Sequence, residues 1–209
     1  MELLDTYDEQ EKYIGTFSRK EVHEKGLWHK TIHCWLYDEF GNVFFQIRTD
    51  ANKLYTTASG HVLAGESLEE AFKRETKEEI GLDIEFDNIK KIDVVLWQMD
   101  KTNPDGSIIK DRAFANRYIG LYNDEFRNFH FDKNEVLGIA KVNAKETLDL
   151  FNGKRSSINA IYLNPNDKTK DQEKQINNSD FVCMKHETLI QKYGKVLEEV
   201  IKITSKNTK

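Results

Sequence analysis

The fold of this chain is decided by residues 60–82, GHVLAGESLEEAFKRETKEEIGL, which read as a glycine-containing loop followed by one helix. Ser67 is a favourable helix N-cap, and Glu70 three residues later completes a capping box. Gly81 ends the helix because glycine adopts the left-handed C-terminal conformation without strain. The stretch therefore predicts a helix over residues 68–80.

The charges of this helix are not sorted as they are on an ordinary surface helix. At about 100° per residue, one arc is apolar. That arc contains Leu68, Ala71 and Phe72. Glu75 and Glu79 fall in the same arc, and Glu78 lies at its edge. The solvent side takes Glu70, Lys73 and Lys77. Three carboxylates therefore converge on a partly buried patch.

Carboxylates crowded into a poorly solvated site repel one another and gain protons. A bound divalent cation removes that difficulty, and hard oxygen ligands suit Mg²⁺ or Mn²⁺. The angular pattern alone leaves a second interpretation open. This is a solvated helix with ordinary i, i+4 ion pairs such as Glu69 with Lys73.

The rest of the chain predicts a mixed α/β domain, because strands precede and follow the helix. Alternating apolar residues predict two strands in residues 31–50, a short strand in 55–62, and further strands in 90–100, 114–123 and 135–143. Helical periodicity predicts helices over 144–151 and 180–203. Residues 164–180 are polar without periodicity and predict an exposed loop.

Composition narrows the class of protein. A net charge of −5 argues against a nucleic-acid polymer as partner, since phosphate contacts require clustered Lys and Arg. Cys34 and Cys183 are too few for a disulfide framework, and Cys34 sits in a strand pattern typical of a buried thiol. The first residues lack a signal pattern and no run is long enough to span a membrane. We therefore expect a cytoplasmic protein without a membrane partner.

The loop and helix resemble the Nudix box, G-x5-E-x7-R-E-U-x-E-E-x-G-U, where U is a bulky aliphatic residue. Gly60, Glu66 and the run from Arg74 to Leu82 stand at the matching positions. Thr76 departs from the pattern, which has an aliphatic residue there, but it keeps the branched shape. The resemblance implies a Nudix-type α/β/α sandwich with a mixed sheet. It places this domain with an N-terminal strand in residues 1–160, and a polar loop and helix on the same domain in 161–209.

The resemblance also implies roles for individual residues. The expected ligands of Mg²⁺ or Mn²⁺ are Glu75, Glu78, Glu79 and the Gly60 carbonyl. Glu66 and Arg74 are expected to form a structural ion pair. Glu135, ahead of a predicted strand, is a candidate further ligand or base, or else an ordinary surface residue. The implied reaction is hydrolysis of a phosphoanhydride bond in a nucleoside diphosphate-linked or other organic diphosphate.

Hydrolysis of this kind requires charge neutralisation on the phosphates and an activated water. Either Glu75 or Glu78 is expected to accept the proton of that water. The partner is thus a small-molecule diphosphate. Nudix proteins are often dimers, which makes a homodimer a further expectation.

Three histidines resemble those of isopentenyl-diphosphate isomerase, a relative in the same superfamily. His23, His29 and His61 can build a nitrogen-rich metal site or can simply pack and cap their segment. That isomerase has a cysteine before the loop glycine, where this chain has Ser59, and its box is degenerate. The intact box favours a hydrolase over the isomerase. A non-catalytic Nudix-fold binding module is a third reading, disfavoured because the box carboxylates are all present.

Substrate contacts are predicted from strands beside the expected cleft. Trp97 and Phe114 are candidates to stack on a base or line an apolar tail, and Arg117 to hold a phosphate. His61 is a further candidate for substrate binding. Each of these residues can equally be core or surface. The proline that marks ADP-ribose enzymes of the family is missing, and no other substrate mark stands out.

Overall fold

The computed structural model describes residues 2–103, 105–131, 134–163, 171–182 and 186–206. Ten strands are found in these residues: β1 Leu3–Tyr7, β2 Tyr13–Ser18, β3 Trp28–Tyr37, β4 Asn42–Arg48, β5 Ala58–His61, β6 Ile89–Thr102, β7 Ile108–Leu121, β8 Val136–Asn143, β9 Ile158–Leu163 and β10 Gln172–Ile176. The α-helices are α1 Arg19–Lys25, α2 Leu68–Ile80, α3 Ala144–Phe151, α4 His186–Leu189 and α5 Lys195–Thr204. A π-helical turn, Ile190–Gly194, joins α4 to α5.

The described strands form a single mixed sheet, as predicted. Along its main path the order is β10-β9-β8-β4-β3-β1-β2, and β5, β6 and β7 join beside β3. The β3–β7 pairing is parallel and runs from His29 opposite Ala113 to Tyr37 opposite Leu121. The other described pairings are antiparallel. β3 therefore organises the sheet, since β1, β4, β5 and β7 all pair with it.

Helices cover both faces of the sheet, which confirms the α/β/α sandwich. Alternate residues of β3 point to opposite faces. Cys34 belongs to the core that contains Phe72 of α2, whereas Trp35 belongs to the core beneath α3 and α5. Phe72 is fully buried, and truncating such a residue to alanine costs about 3–5 kcal/mol. The predicted buried thiol is confirmed, because Cys34 is fully buried and free.

Helix α2 has the boundaries that its capping residues predict. The Ser67 hydroxyl accepts the Glu70 backbone N–H at 3.2 Å, and the Glu70 carboxylate accepts the Ser67 N–H at 2.8 Å. Gly81 lies at φ +71°, and its N–H bonds the Lys77 carbonyl. These caps fix both ends of the helix and so the rotation of its side chains.

An N-terminal hairpin of β1 and β2, followed by α1, packs against the N-terminal end of β3. Ser18 caps α1 through a capping box with Glu21. Thr6 and Tyr7 of β1 pair with β3. The sequence predicts a single strand here, whereas the structure has two strands, β1 and β2, and the helix α1. This segment brings residues from the start of the chain beside the loop that precedes α2.

The predicted exposed loop over residues 164–180 is wrong for the part of it that is described. Residues 172–176 form β10, which pairs with β9 from Gln172 opposite Tyr162 to Ile176 opposite Ile158. The strand is a polar edge strand in which only Ile176 is buried, so it carries no apolar alternation. Residues 164–170 and Cys183 lie outside the described residues.

The predicted C-terminal helix over 180–203 begins later, at His186, and contains the π turn. Its residues Val196, Leu197 and Val200 are fully buried in the core beside α3. The helix therefore covers one face of the sheet. Among the described residues, no helix combines the length and apolar character needed to cross a bilayer.

Candidate active site

Helix α2 turns its carboxylates inward, as the angular pattern predicts. Glu75 and Glu79 are 9% and 8% exposed, whereas the Glu78 side chain is 58% exposed. The inward pair belongs to the same face as the fully buried Phe72. The alternative of a fully solvated helix is therefore wrong for this face.

Arg74 ties the loop to the helix. Its Nε bonds Glu66 Oε1 at 2.8 Å and its Nη2 bonds Glu66 Oε2 at 3.0 Å. Nη2 also donates to the His61 carbonyl at 2.9 Å. Glu66 in turn accepts the Leu63 N–H at 2.8 Å. The structure thus brings together the two residues expected to form an ion pair, and together they hold the loop from 61 to 66.

Glu75 lies in a space that exists only because residue 60 is glycine. A Cβ added at Gly60 would occupy the position of the Glu75 carboxylate. Arg74 Nη1 holds Glu75 Oε1 at 2.7 Å. Burial nevertheless raises the pKa of Glu75 to about 7, against the opposing effect of Arg74 and with help from Glu78 and Glu135. A dry carboxylate of this kind requires a proton or a cation.

Glu79 is anchored from the opposite side of the loop. Its Oε2 accepts the Ser59 N–H at 2.7 Å and the Gln46 amide at 3.0 Å. Burial raises the pKa of Glu79 to about 8, although the Ser59 bond lowers it. The neighbouring Glu75 raises the pKa of Glu79 further, because two negative charges in a poorly solvated site repel each other.

The donor set fits a divalent cation such as Mg²⁺ or Mn²⁺. Glu75 lies in the space at Gly60, Glu79 accepts the N–H of the adjacent Ser59, and the exposed Glu78 lines the same cavity. Hard oxygen donors are the ligands that these ions prefer. Glu135 lines the same cavity. Its backbone carbonyl accepts the Thr49 N–H at 3.1 Å, which fixes the segment that carries it.

The glutamates border a cavity of about 820 Å³. Its wall carries the acidic side chains of α2 together with Arg74, and also the cationic side chains of Arg19, Arg48, Lys101 and Lys192. Trp97 and His61, both predicted as substrate contacts, also line it. The space is of the size of a small-molecule site.

A second group of donors lies beside the loop. His23, His29 and His61 place their potential ligand atoms within 4.8 Å of one another. Each Nδ1 meets an oxygen that can only accept: Arg19 O at 2.8 Å, Leu27 O at 3.1 Å and a Glu2 carboxylate oxygen at 3.3 Å. In each ring Nδ1 therefore carries the proton and Nε2 offers a lone pair.

The charge state of His29 and His61 suits a metal ligand. Burial lowers the pKa of His29 to about 3 and also lowers the pKa of His61. The His29 Nε2 is buried without a hydrogen-bond partner, although Asp111 lies 3.8 Å away. A metal-bound histidine commonly donates the N–H of its other ring nitrogen to an oxygen, and the Nδ1 contacts described above have this arrangement. The three rings can bind a cation as well as pack the segment.

Two predicted substrate residues do not line this cavity, although Arg117 lines a small pocket together with Trp97 and Lys192. Phe114 is 2% exposed and packs against Trp28, with ring centroids 5.0 Å apart. Arg117 is 4% exposed and forms a two-point ion pair with Asp93 at 2.6 and 2.7 Å. Successive residues of β7 are buried at these positions, so both faces of the strand are covered there, and the substrate contacts expected of Phe114 and Arg117 stay predictions.

Sequence reasoning missed several residues of the cavity wall. Tyr55, Arg48 and His33 lie in or beside short strands, and Lys192 comes from the C-terminal helix. Strand periodicity marks His33 as inward-facing, but nothing local shows which residues of a distant helix reach the same space. Glu2 was likewise hidden, because the N-terminal hairpin was not predicted.

The site can now be compared with known proteins. Residues 27–161 match the family model described as NUDIX domain. A protein of Clostridium acetobutylicum named an uncharacterized Nudix hydrolase is 33% identical over 195 residues, covering 88% of this chain and 92% of that protein. Isopentenyl-diphosphate Delta-isomerase 2 of Photorhabdus laumondii is 26% identical over 155 residues, covering 71% of this chain and 78% of that protein.

A solved structure shares the fold. The crystal structure of DR0079 from Deinococcus radiodurans superposes with a TM-score of 0.55 at 20% identity, covering 73% of this chain and 89% of that one. The family model matches well over half of the chain, and the Clostridium relative spans nearly all of it. This chain is therefore a member of the Nudix hydrolase family.

Proposed function

We propose that this protein is a divalent-metal-dependent hydrolase that cleaves the phosphoanhydride bond of a small organic diphosphate. The observation that carries the proposal is the placement of Glu75 and Glu79 at the Gly60 loop, where burial raises the pKa of both, with Glu78 on the wall of the same cavity. Mg²⁺ or Mn²⁺ bound there neutralises phosphate charge and activates a water. A binding module without activity would not need this carboxylate set.

The residues of the chain divide the remaining work. Glu75 and Glu79 are held by Arg74 and Ser59, which suits them to act as fixed ligands. Glu78 is the most exposed of the three, and its contact with Arg74 is longer, at 3.3 Å. Of the two candidates for accepting the water's proton, Glu78 is therefore better placed to move than Glu75. Glu135 supplies a further acid on the same wall.

The test of the proposal is a panel of nucleotide and non-nucleotide diphosphates, assayed with Mg²⁺ or Mn²⁺ and resolved by chromatography. We expect release of a monophosphate or of phosphate from at least one compound. Glu78→Gln should lower that rate at least ~100-fold, because it removes a charge without changing volume, while leaving the fold intact. Full turnover by the variant would refute the role given to Glu78.

A second candidate function is isomerisation of a small allylic diphosphate. The cluster of His23, His29 and His61 and the likeness to the Photorhabdus isomerase favour it. Against it, Ser59 stands where that enzyme's reactive thiol is expected. Cys34 lies opposite Ala58, the residue before Ser59, in the β3–β5 pairing. It is fully buried, and burial raises the pKa of its thiol.

The two functions separate in one assay. Incubation of the wild-type protein with isopentenyl diphosphate should give no dimethylallyl diphosphate. The Ser59→Cys variant shows whether a thiol at this position is the missing element. Isomerisation by the wild type at a rate above its hydrolysis would replace the proposed function with this one.

A further inference from the structure

Lys192 is a buried cation without a carboxylate partner. The residue is 5% exposed, and its Nζ donates to the Tyr55 hydroxyl at 2.8 Å. The ammonium also lies 4.0 Å from the centroid of the Tyr55 ring and 4.4 Å from that of Trp97. No described acidic residue forms an ion pair with it. A buried charge that is not neutralised is costly, which suggests that an anion completes this site.

The backbone that presents Lys192 is unusual. The residue sits in the π turn Ile190–Gly194, a rare feature that often marks functional sites. Arg117 Nη1 bonds the backbone carbonyls of Gln191 and Lys192 at 3.2 and 2.8 Å. Asp93 holds the same guanidinium and also bonds Lys195. Arg117 thus acts as a positioning residue that fixes the turn.

The surroundings of Lys192 add to its positive field. The Arg48 guanidinium lies 5.0 Å from the centroid of the same Tyr55 ring, although Asp50 pairs with it. His33 lies beside Lys192 and Trp97 in a small pocket. Burial lowers the pKa of His33 well below its usual range, so this ring adds no second charge. Lys192 is therefore a buried cation of this cavity with which no described carboxylate forms an ion pair.

Lys192 and the glutamates reach the cavity from different layers of the fold. Glu75 and Glu79 belong to α2 on one face of the sheet, whereas Lys192 belongs to the helical segment on the other face. The two glutamates and Lys192 line the same cavity of about 820 Å³. A ligand that spans this space can therefore contact metal-binding acids with one group and Lys192 with another.

We propose that Lys192, Tyr55 and Trp97 form an anion subsite that binds a second phosphate group of the substrate, remote from the bond that is cleaved. This subsite rests on the proposed hydrolase function, because the molecule that it binds is taken to be the substrate of that reaction. The substrate is then an organic diphosphate that carries an additional phosphate. Tyr55 and Trp97 provide aromatic surface for the part of the ligand between the two phosphates.

The first test measures thermal stability with inorganic phosphate in EDTA, against sodium chloride of equal ionic strength. Phosphate should raise the Tm of the wild type by about 2–4 °C, because a ligand that binds the folded state stabilises it. Lys192→Met should lose this rise, and Lys192→Arg should keep it. Lys202→Met, at an exposed lysine of α5, is the matched control and should behave as wild type.

An equal rise in the wild type and Lys192→Met, or no rise in the wild type, would overturn the subsite. If Lys192→Met does not fold, tryptophan fluorescence of the wild type decides. Phosphate should change the emission, and Trp97→Phe should abolish that change; an unchanged response would contradict the assignment. Because EDTA removes divalent cations, the subsite can be confirmed while hydrolysis fails, and the Glu78→Gln variant should keep the phosphate effect.

Discussion

Arg74 and Glu66 are joined at two points, with Nε to Oε1 at 2.8 Å and Nη2 to Oε2 at 3.0 Å. The guanidinium also holds Glu75 and the His61 carbonyl, so one side chain sets the loop and a candidate metal ligand together. A lysine cannot reproduce this fork. The contacts of the pair therefore connect the loop to the glutamates of α2.

Arg74→Lys should therefore lower both stability and activity. The loss of a forked, partly buried ion pair should cost about 1–3 kcal/mol of unfolding free energy, measured by urea titration. Lys73→Arg, which alters an exposed cation of the same helix, is the control. An Arg74→Lys variant with wild-type stability and turnover would show that the fork does not organise the loop.

Gly60→Ala tests the space that Glu75 occupies. The added Cβ would displace the Glu75 carboxylate, so Mn²⁺ affinity measured by calorimetry should fall at least ~10-fold. Gly138→Ala is the matched control, because a Cβ there meets its nearest atom, in Ile47, at 3.4 Å. Equal affinity in both variants would remove Glu75 from the ligand set.

The features of the site that follow from local chemistry were predictable. Ser67, Glu70 and Gly81 specify the ends of α2, and the helical period then fixes which faces carry Glu75 and Glu79. The buried thiol Cys34 follows from strand alternation in the same manner. In each case the sequence neighbours determine the result, so one sequence was enough.

The features that depend on distant segments were not predictable. The ion pair of Arg117 was not predictable, because its partner Asp93 and the π turn come from other parts of the chain. β10 was missed because a polar edge strand carries no apolar period, with Ile176 alone buried. Lys192 was overlooked because its cavity is formed by strands far from it in the sequence.

The pH dependence of the metal-free protein follows from Glu75 and Glu79. Their folded-state pKa values, about 7 and about 8, lie above the ordinary 4.5. The stability they contribute is present below pH 4.5 and is lost as pH rises through 7 and 8. In EDTA, Tm should fall between pH 7 and pH 8, an interval above the ordinary pKa of the buried histidines His29, His33 and His61, and Mg²⁺ should restore it mainly at pH 8.

Glu79→Gln is the control for this dependence, because it removes one of the two titrating groups. The fall in Tm between pH 7 and pH 8 should be smaller in the variant than in the wild type. A wild-type Tm in EDTA that rises over this interval would contradict the cause assigned here.

We expect the cluster of His23, His29 and His61 to bind a metal ion at a site separate from that of the glutamates. His23→Ala removes one of the three imidazole ligands, and the ring is not part of the core. After incubation with Zn²⁺ or Mn²⁺ and desalting, metal analysis should show about one equivalent less than in the wild type. His130→Ala, a histidine outside the cluster, should leave the content unchanged. Equal metal content in the His23 variant would show that the rings only pack.

The most direct test of the central claim is a crystal structure with Mn²⁺ and a non-hydrolysable diphosphate, using anomalous scattering to locate the metal. We predict anomalous peaks within about 2.3 Å of carboxylate oxygens of Glu75, Glu78 and Glu79, with the diphosphate against the same ions. Peaks confined to the histidines, with the three glutamates directed into solvent and away from the diphosphate, would contradict it.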